Sequence, residues 1–164
     1  MSRVDKCLVA AVGIGCSALA IAAILSAIAS RPAFAVGASL SVRASGTSRP
    51  TLALVLSSSC AACQRLAPVL ARLSAGRLGF SVAVIGRDAP DVLRAFAVVN
   101  GIRVDEVAPL PPLSEAQRTA LITPTVILLS RDQRVVRSWS GVTEITNEEK
   151  QIVEMAAREV TQRQ

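Results

Sequence analysis

Ser57–Leu70, SSSCAACQRLAPVL, is the one stretch of the chain in which a reactive residue type recurs at close spacing. Cys60 and Cys63 follow directly on the apolar run Thr51–Leu56, TLALVL. They precede Leu66, Val69, Leu70 and Leu73, which fall at i, i+3, i+4 and i+7. An unbroken apolar run stopped by three serines reads as a buried strand entering a loop, and the spacing beyond it reads as the apolar stripe of a helix. That helix is expected from near Cys60 to about Gly76. The two cysteines then sit on its first turn, where backbone N–H groups lack intrahelical partners and the helix dipole favours an anion.

Three chemistries fit such a pair. In the first, Cys60 is a nucleophile: lowering a thiol pKa from about 8.5 to about 7 raises the ionised fraction at neutral pH from roughly 3% to roughly half. Cys63, one turn deeper, then attacks the mixed disulfide and releases the product. In the second, the pair is part of a metal site. A structural zinc site wants four ligands, and the chain has no histidine and no second C-x-x-C, so only copper(I) on Cys60 and Cys63, or a site completed by a partner, survives. Met155, on the terminal helix, is not expected to help. In the third, the two form a static disulfide, whose short loop constrains little of the unfolded chain. Arg65 is expected to point to solvent rather than to the sulfurs.

Outward from the motif, short apolar runs alternate with helical patterns. Phe80–Ile85 reads as a second buried strand, residues 88–99 as a helix stopped by Asn100-Gly101, and residues 102–107 as a short strand. Residues 113–121 read as a short helix with Ser114 as its cap, Thr125–Leu129 as a third strong strand, and Arg131-Asp132-Gln133 as a tight connection to a strand over residues 135–139. A helix from about Asn147 to Val160 closes the chain. The pattern is that of an α/β domain with a mixed sheet. Trp139 is read as a sheet-packing residue.

The N-terminus has a different character. Residues 7–29 form a run of 23 without a charge, about 35 Å as a helix and long enough for a bilayer core. Arg3 and Lys6 precede it, so residues 1–6 are expected in the cytoplasm and everything past Arg31 outside it. Ala33-Phe34-Ala35 has the small-x-small form of a cleavage site, but the apolar run is long for a signal peptide, and an uncleaved anchor over residues 7–30 is preferred. Cys7 and Cys16 read as small apolar residues of that helix: Gly13 stands where a lipoprotein site wants an aliphatic residue. Gly13 and Ser17 would allow close approach of another helix. Between Val36 and Pro50 the chain turns to Gly, Ser, Ala and Thr, and residues 31–50 are read as a flexible tether. The net charge of +6 rests on scattered arginines, and aromatics are 2% of the chain, so nucleic-acid binding is not supported.

Taken together these residues resemble the thioredoxin superfamily, in particular its membrane-anchored TlpA/ResA/MauD-like branch, over roughly Thr51 to Val160. The resemblance rests on the strand leading into Cys60-Ala61-Ala62-Cys63, Pro68 five residues past the second cysteine, Thr123-Pro124 opening a strand, Gly141 after the next strand, and the segment Val104–Leu121 ahead of Thr123. It implies a thioredoxin-like mixed sheet flanked by helices over residues 51–164, preceded by one transmembrane helix. It also implies a redox-active disulfide between Cys60 and Cys63, and a cis Pro124 beside the sulfurs that presents the backbone of Thr123 to an extended substrate. The function it implies is that of a thiol–disulfide oxidoreductase needing no cofactor, held in a bacterial inner membrane by a single span with its C-terminal domain in the periplasm. Its partners would be an exported disulfide substrate, in cytochrome c or other enzyme maturation, and a membrane electron-donor protein. A copper(I) carrier and a non-catalytic scaffold are the alternatives. The chain departs from the family in three places, one of them the Ala61-Ala62 dipeptide between the cysteines. No tryptophan precedes Cys60, and Leu54 and Leu66 occupy the places where relatives often carry a carboxylate that assists deprotonation of the second cysteine, leaving water, a partner group, or Asp88 or Asp91 for that role. A peroxide-reducing relative is disfavoured, because such enzymes also want a separate activating arginine, although Ser57 does stand three residues before Cys60 as they require.

Overall fold

The computed structural model of the chain describes residues 34–42, 49–75 and 79–161. The expected cytoplasmic terminus 1–6, the membrane anchor 7–30 with Cys7 and Cys16, and the tether residues 31–33 and 43–48 lie outside the described residues. Among the described residues no helix is long and apolar enough to cross a membrane.

The elements follow in the order β1 (Thr51–Leu56), α1 (Ala61–Ala75), β2 (Ser81–Gly86), α2 (Pro90–Val99), β3 (Glu106–Pro109), α3 (Glu115–Ala120), β4 (Thr125–Leu129), β5 (Val135–Ser140), α4 (Val142–Asn147) and α5 (Glu149–Thr161). The strands form one sheet in the order β3-β2-β1-β4-β5. β1 runs parallel to β2 and β2 to β3, while β4 is antiparallel to both β1 and β5.

Both faces of the central strands are covered, which is why they read as unbroken apolar runs instead of alternating. Leu52, Leu54 and Leu56 of β1 point into a core with Leu66, Leu70 and Leu73 of α1, Leu93 of α2, Trp139 of β5 and Ile152 of α5. Ala53 and Val55 point the other way, into a second core with Ile85, Ile127, Leu129, Phe34, Leu40 and Val42. Pro68 lies inside α1, exposed to solvent.

Three sequence expectations need correction. The first concerns the tether. Residues 34–42 are packed, with Phe34, Leu40 and Val42 at 1%, 5% and 1% exposure. The Gly37 N–H donates to the Val135 carbonyl at 2.7 Å, the Leu40 N–H to the Gln133 carbonyl at 2.9 Å, and Ser39 forms a bridge to Arg134. The Gly- and Ser-rich composition conceals three apolar side chains that the second sheet face requires. The second correction concerns β3, which pairs from Glu106 to Pro109 rather than over 102–107. Ile102 instead turns into the core as the chain leaves α2, and the Asp105 carboxylate accepts the Val82 N–H at 2.8 Å. Third, the closing helix is preceded by a separate short helix, α4, to which the sequence reading assigned no element. Its β-branched sequence is a poor helix former, but Gly141 at φ +82° turns the chain, the Ser140 N–H donates to Glu144 at 2.6 Å and Ile145 is buried. Burial overrides propensity here.

Candidate active site

β1 delivers the chain to the top of the sheet, and Ser57–Ser59 turn it into α1. The turn is clamped from β2's far end by Asp88: its carboxylate accepts the Ser58 N–H at 2.6 Å and the Ser57 hydroxyl at 3.2 Å. These bonds favour the ionised form and hold Asp88 below the usual carboxylate range, the Ser58 backbone contributing most. Of the two carboxylates considered for Cys63, Asp88 reaches the motif loop, whereas Asp91 is exposed on the first turn of α2. Leu54 and Leu66 are both buried in the first core.

Cys60 occupies the N-cap position of α1. Its carbonyl accepts the Gln64 N–H at 3.1 Å, the first bond of the helix. Its sulfur accepts the Cys63 N–H at 3.1 Å. This is the geometry in which a serine or aspartate oxygen satisfies the N3 amide, here made with sulfur. The sulfur also lies 3.6 Å from both the hydroxyl and the carbonyl oxygen of Thr123: the hydroxyl donates to it, and its own S–H points to the carbonyl. The Thr123–Pro124 peptide bond is cis, and the Pro124 carbonyl accepts the Gly141 N–H at 2.8 Å. Cys60, Cys63 and Thr123 are thus gathered at one end of the sheet, although Thr123 lies 63 positions beyond Cys60 in sequence. Pro124 follows in the same loop.

The two cysteines, free thiols here, differ sharply in environment. Cys63 is fully buried and Cys60 only partly so. Burial alone would push Cys60 up, but hydrogen bonds from Cys63, the Thr123 side chain and the Cys63 and Ala62 backbone outweigh it, and its pKa lies below the ordinary 9.0. Burial pushes Cys63 up to about 12, with its hydrogen bond and charge interaction with Cys60 adding to the rise. The two thiols are therefore driven apart, Cys60 ionising more readily than an ordinary thiol and Cys63 less readily.

Arg65 is exposed on α1, and Met155 packs against the first core. Trp139 is fully buried, with the Arg137 guanidinium 5.5 Å from its ring centre. Among the described residues, no group of three or more His, Cys, Asp or Glu side chains comes together. The sulfur cap went unread in the sequence because cysteine is not among the usual N-cap residues; the three serines before it mark the turn but not which residue closes it.

No family model matches this chain, and no curated protein matches it. Solved structures do. A protein described as the thiol:disulfide interchange protein DsbE of Chlorobium tepidum is similar at 21% identity with a TM-score of 0.51, over 68% of this chain and 81% of that one. A DsbF homologue from Corynebacterium diphtheriae is similar at 18% identity and TM-score 0.50, over 66% and 73%. A protein from Bacteroides thetaiotaomicron, described as a protein disulfide isomerase, gives 21% and 0.50 over 66% and 74%. At these identities the likeness is one of fold. The fold is thioredoxin-like: a mixed five-stranded sheet flanked by helices.

Proposed function

We propose that the protein is a membrane-tethered thiol–disulfide oxidoreductase of the bacterial periplasm, reducing a disulfide of a dedicated exported partner. The observation that carries this reading is the unequal pair: a partly exposed Cys60 sulfur holding hydrogen bonds from Cys63 and Thr123, with a buried Cys63 thiol one turn behind it. The Cys60 thiolate attacks one sulfur of the partner's disulfide, and the other sulfur leaves as a thiolate and takes up a proton. In the mixed disulfide Cys60 no longer carries charge, so the contribution of that charge to the high Cys63 pKa disappears. Cys63 then loses its proton, attacks the Cys60 sulfur and releases the partner's second thiol. Two electrons and two protons pass to the partner, and Cys60–Cys63 becomes a disulfide for a membrane electron-donor protein to reduce. Asp88, bound to Ser57 and Ser58, is the carboxylate this network brings to the motif.

The tether rests on the uncharged run of residues 7–29. Phe34 supports an uncleaved anchor, because cleavage after Ala35 would remove a side chain that is 1% exposed and belongs to the second core. Maturation of cytochrome c or of another exported disulfide-containing enzyme is the role this assignment suggests.

The decisive measurement is the reduction potential of the full-length chain, equilibrated against glutathione and dithiothreitol. A value near or below thioredoxin's, about −270 mV, is expected for a dedicated reductant. A value near −120 mV, roughly that of a strong disulfide donor, would reverse the direction, and the absence of any reversible two-electron couple would end the enzyme reading.

A further inference from the structure

Beside the Cys60 sulfur the surface opens into two adjoining hollows of about 350 and about 320 Å³, which share Gly86, Arg87, Leu110 and Arg118 in their walls and so form one groove. One end reaches Ser57 and Thr123, the residues around Cys60, and the other is walled by Pro109, Pro111 and Pro112. Between them lie Leu56, Leu110 and Leu121.

The groove is built from fixed parts. Leu110 is tied by its N–H to the Gly86 carbonyl at 2.8 Å. Three prolines in four residues stiffen the far wall, so little conformational freedom remains to be lost on binding. Arg118 is carried by α3, whose start is closed by a capping box: the Ser114 hydroxyl accepts the Gln117 N–H at 3.2 Å while the Gln117 side chain accepts the Ser114 N–H at 2.9 Å. Arg87 follows directly on the last residue of β2.

Charge then chooses the occupant. One carboxylate, Asp88, also stands in the wall, where the Ser58 N–H and the Ser57 hydroxyl already engage it. Glu115 meets Arg118 at 2.8 Å, but both side chains are well exposed, at 87% and 57%, and such pairs are weak enough to exchange for another carboxylate. Two guanidiniums in the wall outnumber its one carboxylate, and they suit an extended segment bearing a carboxylate. Because an attacked cysteine must sit at Thr123, where the groove begins, the residues flanking that cysteine are the ones that would lie along it.

We infer that this groove selects the substrate: a disulfide partner whose reacting cysteine is flanked by Asp or Glu, read by Arg87 and Arg118. The inference rests on the oxidoreductase reading and names the substrate class for the same site.

The test uses the full-length chain and two synthetic peptides with an intrachain disulfide, one with Asp and one with Asn two residues to either side of each cysteine. Their kcat/KM values for reduction are compared. The acidic peptide is expected to be favoured about fivefold, the worth of a few exposed or partly exposed charge pairs. That ratio should fall toward one in R87Q/R118Q, survive largely in the charge-preserving R87K/R118K, and be unaffected in R158Q, which removes an exposed arginine of α5. A ratio near one in the wild-type chain, or one that R158Q lowers as much as R87Q/R118Q, overturns the inference and leaves the oxidoreductase reading standing. Reduction of neither peptide by the dithiol chain overturns both.

Discussion

At Cys60 two opposing effects meet on one sulfur. Partial burial disfavours the thiolate, and the hydrogen bonds from Cys63 and Thr123 favour it more strongly. The thiolate is the reactive form, so a lowered pKa moves reactivity to lower pH. Alkylation of Cys60 followed against pH should reach half its maximal rate below pH 9.0, while Cys63, pushed up to about 12, stays unmodified across the same range. Thr123→Val removes one donor at 3.6 Å. That donor favours the thiolate, so without it the Cys60 profile should move upward. An unmoved profile would show that the backbone donors alone hold the thiolate. The pair and its spacing were readable from the sequence. The divergence of the two pKa values was not, because it depends on which thiol the sheet and α1 bury.

At the scale of elements, α1 uses its reactive residue as its cap. Cys60→Ser keeps an acceptor in place for the Cys63 amide and should unfold within about 0.5 kcal/mol of the wild type, whereas Cys60→Ala, leaving that amide without the bond, should lose about 1 kcal/mol. Urea denaturation of the two variants separates the structural role of the sulfur from its chemistry, since both abolish the thiol. The end of β2 is equally constrained. A Cβ at Gly86 would run into the Leu56 carbonyl of the neighbouring strand and meet both Leu93 methyls at 3.1 Å. Gly86→Ala should therefore destabilise by about 1–3 kcal/mol through forced strand or side-chain movement, seen as a lower urea midpoint. Because β2 ends where Arg87 and Asp88 begin, the same variant should disturb the groove. The strong strands were legible because each is an apolar run that the two-sided sheet demands. β3 was misplaced and α4 went unread because an edge strand and a short helix of β-branched residues take their form from neighbours, not from their own pattern.

At the scale of the whole molecule, the sheet needs covering on both faces, and the chain supplies the second cover from residues that precede β1. Phe34 fills that face together with Ile85, Ile127 and Val135. Phe34→Ala should cost about 3–5 kcal/mol, as for other fully buried phenylalanines, and is expected to appear in thermal or urea unfolding without altering the Cys60 alkylation profile, since the two lie in different cores. An effect below about 0.5 kcal/mol would mean that residues 34–42 behave as the tether their composition suggests.

What the sequence by itself determined is therefore local or periodic. The C-x-x-C at a helix start, the three central strands, the Ser114 cap and the α/β class all follow from patterns contained within a dozen residues. The tertiary structure decided what depends on residues distant in the chain. It placed Thr123 against Cys60, tied Asp88 to the serine loop, laid residues 34–42 over the second sheet face, and set Arg87 and Arg118 along one groove. The physical reason is that backbone propensity and hydrophobic period act between near neighbours. Burial, pKa and charge juxtaposition are instead set by whichever segments the closed sheet brings together.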